Sequence, residues 1–136
     1  MTVIDLIKDA LMDIGVIGES ETPSAEQGVH ALRKLNQMME AWEESGVKLG
    51  WYEQADTSDT APLPPYAESG VTSKLAIALA PSYGGAASVT PALIEQANDG
   101  YALITRKAAV KNLQPSDSSN MPASEGRITG SNILTG

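Results

Sequence analysis

"SAEQGVHALRKLNQMMEAWEESGV", Ser24 to Val47, carries a start, a period and a stop, and that combination decides the fold. Ser24 with Gln27 three residues on makes a capping box, each side chain satisfying a backbone N–H of the other residue. Glu26 places negative charge at the positive end of the helix dipole. Val29, Leu32, Leu35, Met39 and Trp42 recur at spacings of three and four, the period of one helix face. Gly46 supplies the terminator. The spacing predicts a helix of about 20 residues, roughly 30 Å long, enough to cross a small domain.

Outward from this helix the chain repeats the same grammar. Upstream, Thr2 is an N-cap with Asp5 three residues on; Ile4, Ile7, Leu11 and Ile14 share a face, and Gly15 is the stop. Downstream, "VKLGWYEQADTSDTAPLPP" (Val47–Pro65) has no helical period. Leu49 and Trp51 alternate as in a strand, which predicts a short β-arm. A connection of this length in a compact domain is often functional or partner-facing. A third helix is expected from about Tyr66 to Leu79, with Val71, Leu75 and Leu79 on its stripe and Pro81 ending it. Thr90 caps a fourth helix with Pro91 at its first position. Leu93, Ala97, Tyr101, Ile104 and Ala108 form its stripe, and Arg106, Lys107 and Lys111 suit its negative end. From Gln114 the composition turns to Ser, Gly, Pro and Asn, with Met121, Ile128, Ile133 and Leu134 spaced along it like anchors. The expectation is an all-α protein: a four-helix domain over 1–113 with a long irregular loop, then an extended tail over 114–136 that gains order on assembly.

Composition narrows the function classes. The chain has 136 residues and no cysteine, so it offers neither disulfides nor thiolate metal sites. Its start, "MTVIDLIKDALMDIG", lacks the basic and apolar regions of a signal peptide, and no run approaches the ~18 apolar residues of a membrane span. The expectation is a soluble protein made in the cytoplasm, with no membrane partner. Net charge is −8, and it is lopsided: residues 1–68 hold thirteen acids against four bases, while 69–136 hold four against five. Such a surface repels phosphate, so any DNA it meets should pass along it without specific binding.

Catalytic chemistry finds few parts. His30, the sole histidine, sits between Glu26 and Lys34 at helical spacing and reads as a solvated side chain. One imidazole and no thiol cannot furnish a triad or a zinc site. Glu40, Glu43 and Glu44 cluster near Trp42, but adjacent Glu43 and Glu44 diverge by ~100° and cannot flank one bond. No catalytic residue, metal or cofactor is expected, and the chain does not read as an enzyme. The two tryptophans differ. Trp42 lies on the apolar stripe and reads as core. Trp51 follows Gly50 in a polar loop beside Tyr52, where a cap over the core edge and a partner anchor are equally open; Leu49, Trp51 and Tyr52 form the candidate contact loop.

Three stretches in series carry a resemblance: "DIGVIGESETPSAEQ" (Asp13–Gln27), "ALRKLNQMMEAW" (Ala31–Trp42) closed by Gly46, and "ALAPSYG" (Ala78–Gly84) ahead of a Thr-Pro helix start. In order and spacing, over about residues 2–112, the chain resembles the tail accessory factors of short-tailed bacteriophages, the head-to-tail adaptors or head completion proteins. The resemblance implies a mostly helical subunit that binds beneath the portal protein and assembles into a homo-oligomeric ring, dodecameric in the family. That ring extends the DNA channel and gives the tail hub or nozzle protein its platform, which places the protein in the neck of the virion. It also implies that the 114–136 tail reaches along the portal or a neighbouring subunit, with Met121 and Pro122 in its family-like part and Ile128, Ile133 and Leu134 beyond. Competing readings are a head-completion connector of a long-tailed phage, a cell-wall-degrading accessory enzyme using Glu40 or Glu43 beside Trp42, and a free-standing helical regulator.

Overall fold

The computed structural model describes residues 1–120, with side chains described through residue 110. Its elements are α1 (Val3–Asp13), α2 (Ala25–Glu44), α3 (Pro65–Tyr83), one 3₁₀ turn (Gly84–Ala86) and α4 (Pro91–Asn120). The fold is all-α, and the described residues contain no strand, only an isolated bridge between Thr2 and Thr60. The chain divides into two units, Met1–Arg106 and Lys107–Gly136. The described part of the second is helical, since α4 runs past Leu113 to Asn120.

The helix ends follow local chemistry. Ser24 and Gln27 form the full capping box, and the Thr2 hydroxyl accepts from the Asp5 N–H. Both α1 and α2 close in the same way. The Gly15 N–H donates to Met12 C=O (3.0 Å) and the Val16 N–H to Leu11 C=O (2.9 Å). The Gly46 N–H donates to Glu43 C=O (3.1 Å) and the Val47 N–H to Trp42 C=O (2.9 Å). This reciprocal pair needs a left-handed residue just past the helix, and the φ values of 77° at Gly15 and 101° at Gly46 fit glycine there.

The helix α3 is the centre of the first unit and packs on both α1 and α2. Ala67, Gly70, Val71, Leu75, Ala76 and Leu79 are all buried along it. On α1 the buried row is broader than the sequence stripe: Val3, Leu6, Ile7, Ala10, Leu11 and Ile14 are buried, while Ile4 is half-buried. On α4, Leu93, Ala97 and Ile104 are buried, with Tyr101 half-buried between them, as the spacing predicted. Pro81 does not end α3. The helix continues to Tyr83, giving up the one bond that the missing Pro81 N–H would make, and leaves through Gly84 at φ 55°.

Where α3 crosses α4 the two backbones touch. A Cβ added at Gly100 would lie 2.6 Å from the Gly70 Cα, and one added at Gly70 would lie 2.9 Å from the Gly100 carbonyl carbon. Only hydrogen fits at either position, so the pair sets how closely the helices approach.

The expected β-arm is absent from the described residues. The segment between α2 and α3 instead completes α1. The Val3 N–H donates to Asp59 C=O (2.9 Å), the Ile4 N–H to Thr57 C=O (2.8 Å), and the Ala61 N–H returns to Met1 C=O (3.0 Å). With Thr2 serving Asp5, three of the free donors at the start of α1 are satisfied. The turn that presents these carbonyls is held by Asp56, whose Oδ1 accepts from both the N–H and the hydroxyl of Ser58 at 2.9 Å. Those bonds hold the Asp56 carboxyl below its ordinary range.

Two stability predictions follow from this packing. Ser73 is fully buried on α3, and among the described residues its hydroxyl has no partner. Ser73→Ala should therefore stabilise the domain by about 1 kcal/mol, read from the urea midpoint, because it removes an unmet polar group and improves helix propensity. Asp13 ends α1, and partial burial, followed by the charge of Asp9, raises its carboxyl above the usual range. The folded state thus binds that proton more tightly than the unfolded chain. Its contribution is fully present at low pH and is lost as pH rises through the raised pKa. Asp13→Asn should melt higher than the parent at pH 7, and the gap should close on acidification through the carboxylate range.

Candidate functional site

A groove of about 620 Å³ runs between α2 and residues 51–55. Its helical wall exists because α2 has two apolar sides. Gly28, Ala31, Leu35 and Met39 face the core, whereas Val29 is 62% exposed and Leu32 half-buried. At 3.6 residues per turn, Val29, Leu32, Asn36 and Glu40 lie roughly 100° round from the buried row. The single stripe read from the sequence merged these two sides. Val29 belongs to the groove.

The second wall is bolted to the first by Asn36. Its Oδ1 accepts from the Trp51 indole N–H (3.1 Å) and from the Gln54 N–H (3.0 Å), and its Nδ2 donates to Gln54 C=O (2.9 Å). Both N–H groups can only donate and the carbonyl can only accept, so the orientation of the amide is fixed by its partners. Gln54 is 4% exposed, and its own amide donates to Tyr52 C=O (2.8 Å). Gly50, at φ 83°, makes the turn that delivers Trp51. Sequence reasoning missed Asn36. The available sign was a poor helix former in mid-helix, directly after a stripe residue.

The three residues of the contact loop part company here. Leu49 is 7% exposed and packs inward, so it is a core residue and offers no contact surface. Trp51 is half-buried with one edge tied to Asn36, and it lines the groove. Tyr52 is 66% exposed. Met121, Pro122, Ile128, Ile133 and Leu134 lie outside the described residues.

Trp42, expected in the core, is half-buried and packs edge-to-face on Tyr101 of α4 at 4.9 Å, with the Lys74 ammonium 5.1 Å from the centre of the same tyrosine ring. It does not line the groove. Glu40 and Glu43 do, together with Trp51, Arg33 and Glu53. Lys48 stands 4.0 Å from Glu43. His30 is less solvated than expected: it is half-buried, with Nε2 2.9 Å from the Ser82 hydroxyl and its ring edge-on to Tyr83. Burial raises the Tyr83 phenol above its ordinary pKa. Among the described residues no group of three or more His, Asp or Glu is placed to hold a metal ion, and no helix is long and apolar enough to cross a membrane.

No family model matches the chain, and no curated protein matches it.

Proposed function

We propose that this chain is a head-to-tail adaptor of a short-tailed bacteriophage, a structural subunit of the virion neck. Copies would ring the underside of the portal protein, extend the DNA channel and give the tail hub or nozzle its attachment platform. The observation that carries the reading is the ordered series of three family-like stretches. They fall on the α1–α2 connector with its capping box, on α2 itself, and on the end of α3 ahead of α4. The acidic first half adds support, since a wall of net negative charge lets a polyanion slide without sticking.

The deciding experiment mixes the purified protein with the portal protein encoded beside it and takes a native mass. A complex with one copy per portal subunit is the expected result. A folded monomer that ignores the portal removes the adaptor reading.

One observation favours a second reading. Glu40 and Glu43 share the groove with Trp51, the arrangement of carboxylates beside an aromatic ring that a saccharide site uses. A cell-wall-degrading accessory enzyme would clear peptidoglycan and lose that activity when both glutamates become glutamine.

A further inference from the structure

We propose that the groove between α2 and residues 51–55 is a docking site for a peptide segment of a partner protein, one carrying lysine or arginine between apolar side chains. The inference invokes no portal and stands apart from the adaptor reading.

Two features of the groove select that occupant. The first is charge. Glu40, Glu43 and Glu53 line it against the single cation Arg33. Lys48 partly answers Glu43, and Glu40 and Glu53 have no ion pair among the described residues. A base on the occupant would find complementary charge on both walls, Glu40 on the helix and Glu53 on the loop. The second is apolar surface. Val29 and Tyr52 are exposed at either wall, with the half-buried Trp51 ring between helix and loop. Apolar side chains of the occupant would settle there, while its bases face the carboxylates.

The two tryptophans make the test direct, because the chain gives only two indole N–H signals. Trp51 reports on the groove and Trp42, packed on Tyr101, serves as the internal control; Trp42→Phe assigns them. The probe is a blocked Val-Lys-Val-Lys-Val peptide titrated into the full-length chain. Val-Glu-Val-Glu-Val and Ser-Lys-Ser-Lys-Ser are the controls. The lysine–valine peptide should shift the Trp51 signal saturably, leave the Trp42 signal in place, and bind more weakly as salt is added. Both controls, and the lysine–valine peptide with a Glu40→Gln/Glu53→Gln chain, should bind about fivefold or more weakly, the scale of two partly screened charge contacts. Both substituted positions are exposed, and an unchanged circular dichroism spectrum checks the fold of the variant. Absence of a Trp51 shift overturns the proposal, as does equal affinity for the glutamate peptide or for the double variant. A Trp51 shift that follows protein concentration alone and disappears in Tyr52→Ala assigns the groove to a second copy of the chain, which also overturns it.

Discussion

Gly100→Ala should lower the melting temperature of the domain by far more than an ordinary surface change. In an unconstrained helix the same substitution stabilises by about 1 kcal/mol, since alanine is the better helix former. Here the new methyl carbon would sit 2.6 Å from the Gly70 Cα, and the atom in the way is backbone, which no rotamer can move. Relief requires α3 and α4 to separate, and that opens gaps around Ile104 and Ala97, both buried on α4. Overpacking of this kind typically costs 1–3 kcal/mol, and the rigid obstacle places Gly100→Ala at the upper end, about 3 kcal/mol net. Gly28→Ala is the matched control. Gly28 is also helical and buried, yet an added Cβ meets nothing within 4 Å, so this variant should gain up to about 1 kcal/mol. Opposite signs in one denaturation series test the crossing. A neutral Gly100→Ala would mean the helices part without loss.

Asn36→Ala should be the second large effect, and its signature is optical as well as thermodynamic. The substitution takes the acceptor from the Trp51 indole and the Gln54 N–H, and the donor from Gln54 C=O. Each such bond is worth about 1 kcal/mol net, and water entering the open groove recovers part of it, so the expected cost is about 2 kcal/mol. Trp51 should then swing free, shifting its emission to the red and becoming more accessible to acrylamide. Trp42, packed edge-to-face on Tyr101, should stay as it was. Asn36→Asp is the finer probe. It keeps an acceptor for the two N–H groups but turns a second oxygen toward Gln54 C=O, so the loop should loosen while the indole stays partly held. Unchanged Trp51 quenching in the alanine variant would show that packing, and not this amide, positions the loop.

How much of this was legible depended on range. The capping box of Ser24 and Gln27, the stops at Gly15 and Gly46, and the Leu93–Ile104 stripe are written within a few residues of where they act, and they stand as read. What local pattern does not carry is where two distant segments meet. Val29 shares its spacing with the buried residues of α2, because apolar spacing does not distinguish a face turned to the core from one turned to a groove. The burial of Leu49 is not legible because its cover comes from elsewhere in the fold. Gly70 and Gly100 give no local sign, since a mid-helix glycine shows its reason only beside its opposite number. Asn36 is silent for the same cause: its three bonds reach fifteen and eighteen residues along the chain.

The pairing of Asp59 and Thr57 with the start of α1 has a consequence for how the chain is born. Of the four described helices, α1 is the first to be synthesised, yet its opening turn is left unfinished until about sixty residues have followed it. Closing that span is a non-local event of the kind that slows folding, and it places completion of the N-terminal helix after α2 has had time to form. The same arrangement makes one exposed peptide bond, Ser58–Asp59, a vulnerable point for the whole element. A protease that cuts there frees the carbonyls that cap α1 and should fray a helix that lies more than fifty residues away in sequence.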